Sequence, residues 1–231
     1  MIIEKTGNIF TTKCQTIVNT VNCVGVMGAG IAFEFKLREE NMFKKYKELC
    51  DKNQLDIGIL WIYKLENKNI LNFPTKYDWK LPSKQEYLER GLQKFVDTYK
   101  QKGITSIAFP LLGADRGGLN PKLSFSLMQK YLSRCDIEIE IWHFDPEAKD
   151  DLYEEFKSVF KNIDDETIKN ESKIRIDKVK KIRESLNNPQ INSLSGLLRV
   201  KGVGEKSLEN LFKYIKNYKK SNINLLDYME A

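Results

Sequence analysis

A chain of 231 residues with 41% hydrophobic and 30% charged residues has a globular composition, which excludes an intrinsically disordered chain and leaves room for one well-buried domain plus a smaller appendage. The net charge of +6 is unevenly spread: residues 161–231 hold 15 Lys/Arg against 10 Asp/Glu, while the first 160 residues hold 23 against 22. The basic excess therefore sits in the tail, and a basic appendage on a near-neutral domain suggests a polyanionic partner.

In chain order, short β-branched or aromatic runs fall at residues 16–21, 57–65, 69–73, 104–110 and 137–144, and helical periodicity fills 30–39, 42–52, 84–102, 122–134 and 148–160. Strands alternating with helices predict an α/β domain over residues 1–160, with a mixed sheet covered on both faces and ligands bound on loops beyond the strand carboxyl ends. Residues 161–189 read as a polar linker or solvated helix start followed by a lysine-rich helix, and 190–231 as a small α-helical segment around Gly202-Val203-Gly204. Cys14, Cys23, Cys50 and Cys135 are scattered, without a CxxC pair, and His143 is the sole histidine, so neither a common zinc site nor a disulfide framework is expected. Reduced thiols, Met1-Ile2-Ile3 running straight into Glu4 and Lys5, and apolar runs too short to span a bilayer give the expectation of a cytoplasmic protein without signal peptide or membrane contact.

Three loops that each follow a strand carry the chemistry. The first runs from Asn22 through Gly25, Met27, Gly28 and Ala29 to Gly30, where glycines permit close backbone approach and the next helix offers free N–H groups to phosphate. Its spacing fits neither GxGxxG nor a Walker A loop, and a tight turn explains it equally well. The second, Gly113-Ala114-Asp115-Arg116-Gly117-Gly118-Leu119, also opens a helix and puts Arg116 within reach of a phosphate. Two such loops flanking one crevice make a better diphosphate site than either alone. The third, Asn72-Phe73-Pro74-Thr75-Lys76-Tyr77-Asp78-Trp79, sets Lys76 just past a strand end, where a lysine is ordinarily a solvated one.

Taken together, Gly7-Asn8-Ile9, Ile17-Val18-Asn19-Thr20-Val21-Asn22, Gly28-Ala29-Gly30-Ile31-Ala32 and the other two loops resemble the macrodomain family over residues 1–160, above all its DarG-like and terminal ADP-ribose glycohydrolase branch. The resemblance implies a three-layer α/β/α fold that binds ADP-ribose as ligand or product, with no cofactor. Asn8 and Ile9 would lie at the adenine end and Phe144 against the base, although a core aromatic closing the last strand is an equal reading of Phe144. Asn22 would bond the distal ribose, the loops from Gly25 to Gly30 and from Gly113 to Leu119 would clasp the diphosphate, and Thr75 would line the pocket beside Lys76. Lys76 would act at the anomeric carbon of the distal ribose, with its pKa lowered by desolvation or by Arg116. Where this branch's terminal glycohydrolases carry a catalytic aspartate, this chain has Gly117; Asp115 substitutes for it or bonds its own loop's backbone.

In the tail, Leu197-Leu198-Arg199-Val200-Lys201-Gly202-Val203-Gly204-Glu205-Lys206 resembles a helix–hairpin–helix, a motif that points backbone N–H groups at a DNA phosphate. Lys201 and Lys206 would flank Gly202, Val203 and Gly204 and add salt-sensitive contacts to DNA; a hairpin that packs on protein is the competing reading. The expected function is hydrolysis that removes ADP-ribose from a modified target, foremost ADP-ribosylated DNA, as the antitoxin to an ADP-ribosylating toxin. A non-catalytic ADP-ribose reader and a hydrolase acting on protein carboxylates are the alternatives.

Overall fold

Apolar strands alternating with amphipathic helices fold as such runs must, into one sheet with helices laid against it. In the computed structural model, which describes residues 1–229 and side chains as far as Lys219, the chain divides into two units, Met1–Asp145 and Pro146–Ala231. The first unit contains β1 (Ile2–Gly7), β2 (Thr16–Val21), α1 (Gly30–Arg38), α2 (Glu40–Asp51), β3 (Trp61–Lys64), β4 (Asn69–Pro74), α3 (Gln85–Thr98), β5 (Ser106–Pro110), α4 (Pro121–Leu132) and β6 (Glu138–Phe144). The sheet order is β1-β6-β5-β2-β4-β3. Every neighbouring pair is parallel except β3 with β4.

Two apolar clusters cover the faces of this sheet. One gathers Val18, Leu71, Phe73, Ile107, Phe109, Ile139 and Ile141 with Leu88, Leu92 and Phe95 of α3 and Leu127, Met128 and Leu132 of α4. The other joins Ile17, Val21, Ile70, Ala108 and Trp142 to Phe35, Met42 and Tyr46 of α1 and α2. Strand β2 is buried at five of its six residues, as a strand covered on both faces has to be. The mixed α/β sheet expected from periodicity is the observed one.

Three expectations need correction. β1 was not anticipated, because its apolar run is only Ile2-Ile3 before the adjacent charges of Glu4 and Lys5; it is a half-exposed edge strand paired only with β6. The strand expected at 57–65 shortens to β3, since Gly58 takes φ +84° and the Asp56 side chain accepts from the Ile57 N–H, which makes a turn there. The boundary expected at residue 160 falls at Asp145, so the helix at 148–160 belongs to the second unit.

That second unit consists of α5 (Asp151–Lys161), α6 (Asp165–Ser172), α7 (Ile176–Ser185), a 3-10 turn at Ser195–Arg199 and α8 (Glu205–Met229). Of the two readings of residues 162–171, linker or helix start, the structure has the helix, as α6. Asp150 and Asp164 cap α5 and α6 through their side chains, and Tyr153, Phe156, Phe160, Ile168, Val179, Ile182, Leu197 and Leu211 are buried. Glu230 and Ala231, the end of the expected helical segment, lie outside the described residues. No helix among the described residues is long and apolar enough to cross a membrane.

Helix α3 carries a glycine that packing requires. A Cβ on Gly91 would stand 2.3 Å from Cζ of the buried Phe73 ring. Alanine gains up to about 1 kcal/mol in helix propensity, whereas overpacking a tight core costs about 1–3 kcal/mol, and the shortness of this contact decides the sign. Gly91→Ala is expected to lower the thermal and urea unfolding midpoints; a rise in either would show that the ring yields freely.

Candidate functional site

The carboxyl ends of β2, β4 and β5 lie side by side, because β2 pairs in register with β4 (Asn19 opposite Asn72, Val21 opposite Pro74) and also with β5. The three glycine- and lysine-bearing loops therefore leave the sheet along one edge. Beneath them the Asn19 Nδ2 donates to Asn72 Oδ1 at 2.9 Å, both side chains fully buried, and ties the strand of the first loop to the strand of Lys76. Sequence reasoning had assigned these amides no role; the available signal was an asparagine inside each of two otherwise apolar strands.

The first loop is organised by Asn22. Its Oδ1 accepts from the N–H groups of Val24 (3.1 Å) and Val26 (3.3 Å), and its Nδ2 donates to the Val26 carbonyl at 2.6 Å. The Tyr46 hydroxyl donates to the Asn22 carbonyl at 2.8 Å from the adjoining α2, a buried partner that sequence reasoning missed. Gly25 at φ +79° and Gly30 at φ +55° occupy the left-handed region. Helix α1 then begins at Ala29 without a side-chain cap, which leaves backbone donors at its start suited to an anion.

The second loop closes on itself tightly. Gly113 has φ +67°, the Leu119 N–H donates to its carbonyl at 2.9 Å, and the Ser83 N–H donates to the Gly117 carbonyl at 2.9 Å. A Cβ on Gly117 would lie 2.2 Å from the Gly113 carbonyl oxygen, so this position admits no side chain without moving the loop. The loop's hydrogen bond at Asp115 is a backbone one, from the Gly118 N–H to the Asp115 carbonyl at 3.3 Å. The two glycine loops meet at Arg116, whose Cγ would stand 3.8 Å from a Cβ on Gly30.

Lys76 is partly buried and its Nζ donates to the Arg116 backbone carbonyl. Burial first, then the positive charge of Arg116, holds its pKa below the usual lysine value, and Asp115 opposes them. Thr75 is buried beside it, its N–H bonded to the Val21 carbonyl at 2.9 Å. Cys23, whose Sγ lies 3.5 Å from the Lys76 carbonyl oxygen, is no competing nucleophile, because burial pushes its thiol up to about 12.

At the far end, the Asn8 side chain accepts from the Phe10 N–H at 3.0 Å and caps the short turn Ile9–Thr11, with Ile9 buried beneath it. Phe144, which ends β6 opposite Gly7, is 65% exposed, so the reading of it as a core aromatic fails and its ring is open to a partner. Cys14, Glu138 and Glu140 bring ligand atoms within 4.8 Å of one another. The Glu140 carboxylate is already engaged by Lys5, Thr12 and the Trp142 indole N–H; burial acts to raise its pKa, and these bonds outweigh it and leave it lowered. That cluster is a buried polar network of the sheet.

In the second unit, Gly202 takes φ +90° and the Val203 N–H donates to the Val200 carbonyl at 2.9 Å, with Val203 buried and Lys201, Gly202, Gly204 and Lys206 exposed. A Cβ on Gly204 would meet nothing within 4 Å, and one on Gly202 only Lys181 Nζ at 3.6 Å. The outer face of this hairpin is open.

Two glycine loops, a helix start without a side-chain cap and a lysine of lowered pKa thus gather at the carboxyl ends of neighbouring parallel strands of an α/β domain. The sequence profile of the Macro domain family matches residues 18–128. The macrodomain of Thermus aquaticus DarG superposes with a TM-score of 0.59 at 34% identity, over 62% of this chain and 98% of that one. The chain belongs to the macrodomain family. It is also 40% identical over 124 residues to a Mycobacterium tuberculosis protein named DNA ADP-ribosyl glycohydrolase, covering 52% of this chain and 35% of that protein. The Thermosipho africanus DarTG, solved in complex with ADP-ribose, matches at 32% identity and a TM-score of 0.58, over 61% of this chain and 42% of its own. The chain thus spans well under half the length of these two relatives.

The lowered lysine pKa has a direct consequence. Its amine becomes neutral at a lower pH than a free lysine's, and removing the neighbouring charge raises that midpoint. Mass-spectrometric acylation profiles of Lys76 against pH are expected to show a midpoint below that of free lysine, moving upward in Arg116→Gln. An unchanged midpoint in that variant would remove Arg116 as a cause.

Proposed function

We propose that this chain is a DNA ADP-ribosyl glycohydrolase, which hydrolyses the bond between the distal ribose of ADP-ribose and a modified nucleobase. The observation that carries the reading is Lys76, a lysine of lowered pKa between two glycine loops at a sheet edge like that of the DarG macrodomains. The loops from Gly25 to Gly30 and from Gly113 to Gly118 hold the diphosphate through backbone N–H groups. Phe144 covers the adenine, with Asn8 and Ile9 beside it, while Asn22, whose buried amide is bonded within the first loop, shapes that loop instead of touching the ribose.

In this reading the neutral Lys76 amine adds to the anomeric carbon as the bond to the base breaks, and the base departs with a proton. Water then releases ADP-ribose and restores the amine, so the net change is addition of one water across the glycosidic bond. Gly117 has no room for a carboxylate, which leaves Asp115, the acid whose charge Lys76 feels, to handle the proton. An alanine at 76 removes the nucleophile and leaves the loops intact. Lys76→Ala is expected to lose nearly all release of ADP-ribose from modified DNA while its calorimetric affinity for ADP-ribose changes only a few-fold, about 1 kcal/mol. Full activity in that variant would end this mechanism.

The second unit supplies contacts to the nucleic acid backbone. The open face at Gly202 and Gly204 lets N–H groups approach a phosphate, with Lys201 and Lys206 contributing charge, in the manner of a helix–hairpin–helix. An ADP-ribosylating enzyme that modifies DNA is the partner such an activity answers, and the Thermosipho africanus relative is named as a fusion of transferase and glycohydrolase. Gly204→Glu adds charge on the open face without a clash, and is expected to weaken binding of unmodified DNA at low salt more than at high salt. Equal affinities at both salt concentrations would assign the hairpin to protein contacts.

A further inference from the structure

The loop between Lys76 and α3 presents side chains that the fold does not use. Tyr77 is 54% exposed, Trp79 52% and Leu81 54%, three large apolar groups within six residues of Lys76. Leaving such surface in water is unfavourable, and single apolar residues scattered over a surface would need no explanation, whereas a group beside a catalytic lysine does.

The backbone beneath them is firmly held. The Cys23 N–H donates to the Tyr77 carbonyl at 2.9 Å, the Leu81 N–H to the Asp78 carbonyl at 3.1 Å, and the Ser83 N–H to the Gly117 carbonyl at 2.9 Å. The loop is thus pinned to both glycine loops, and its aromatic rings are presented on a fixed backbone.

Charge identifies the occupant. Lys80 Nζ stands 5.4 Å from the centroid of the Trp79 ring, and Lys84 Nζ lies 5.4 Å from that of Tyr87 at the start of α3. The acid of this loop, Asp78, is turned to the backbone, where its Oδ1 accepts from the Lys80 N–H at 2.9 Å. Aromatic faces interleaved with lysines are the surface on which single-stranded nucleic acid binds: bases stack on the rings, and the cations meet the phosphodiesters between them. A protein partner would be served by the apolar groups but has no need of a lysine beside Trp79.

We propose that Tyr77 and Trp79 form a stacking platform for nucleobases flanking the modified one, so that the enzyme acts on a single strand and holds its substrate from both sides of the scissile bond. The inference rests on the reading of the substrate as ADP-ribosylated DNA. It assigns Tyr77 and Trp79 to specificity and leaves the chemistry to the lysine. The platform contributes only when the substrate has neighbouring nucleotides.

Two measurements test it. First, kcat and KM are determined for the wild type, Tyr77→Ala, Trp79→Ala and Trp79→Phe, on an ADP-ribosylated single-stranded oligonucleotide and on the same ADP-ribosylated base as a mononucleoside. Each alanine variant is expected to lose roughly 5- to 150-fold in kcat/KM on the oligonucleotide, mainly through KM, the range one base stacked on one ring spans. Trp79→Phe keeps most of the activity, and the mononucleoside rates do not change. Unaltered oligonucleotide rates, or equal losses on both substrates, overturn the platform. Second, an unmodified single-stranded oligonucleotide is titrated against tryptophan fluorescence. Quenching in the wild type that disappears in Trp79→Phe supports stacking even if no ADP-ribose is released from DNA, in which case the proposed reaction fails and the platform stands. Absence of quenching overturns the platform whether or not the enzyme is active.

Discussion

The arrangement of the site depends on the position of β2 in the sheet. A parallel strand gives up its loops at its carboxyl end, so neighbouring parallel strands deliver their loops to one edge. β2 pairs with β4 on one side and with β5 on the other. Loop one, Lys76 and loop two therefore converge although residues 31–112 of the chain lie between the two glycine loops. The Asn19–Asn72 hydrogen bond sits at the centre of this arrangement with both side chains fully buried, and a slip of β2 on β4 by one residue would turn one amide to the other face and break it.

From that register follows the electrostatic character of the crevice. Lys76, just past the end of β4, is partly buried where the loop after β5 folds across it, and Arg116 of that loop adds to the lowering of its pKa. The same loop needs glycine at 117 for its own closure, so a carboxylate there and the observed loop cannot coexist. Loop shape and acid placement are thus one constraint, and Asp115 is where an acid can stand without disturbing the packing.

The second unit obeys a simpler logic. Its helices are amphipathic and its core is made of its own residues, Phe156, Phe160, Ile168, Val179, Ile182 and Leu211 among them. The hairpin at residues 200–204 hides Val203 and shows its glycines, which is the reverse of a turn that merely reverses the chain on an apolar surface. Lys201 and Lys206 flank these glycines and are exposed.

Much of this was legible in the residues themselves. Periodicity marked the central strands, because strands buried on both faces read as apolar runs, and it marked the helices α1 to α5 by their spacing. The glycine loops stood out as glycine-rich turns from strand to helix, whereas Lys76 taken alone read as a solvated lysine and drew its role only from the family resemblance. The edge strand β1 escaped notice, since two isoleucines followed by Glu4 and Lys5 give too short an apolar run to mark a strand. Four features were decided only in three dimensions: Asn22 bonded within its own loop, the Tyr46 hydroxyl beneath it, the ban on a side chain at Gly117, and the exposure of Phe144. Each depends on which atoms from distant parts of the chain come within a few ångströms of one another. Local sequence encodes period and turn chemistry; it does not encode the distance from Gly117 to Gly113, and that distance exists only once the sheet has drawn its strands together.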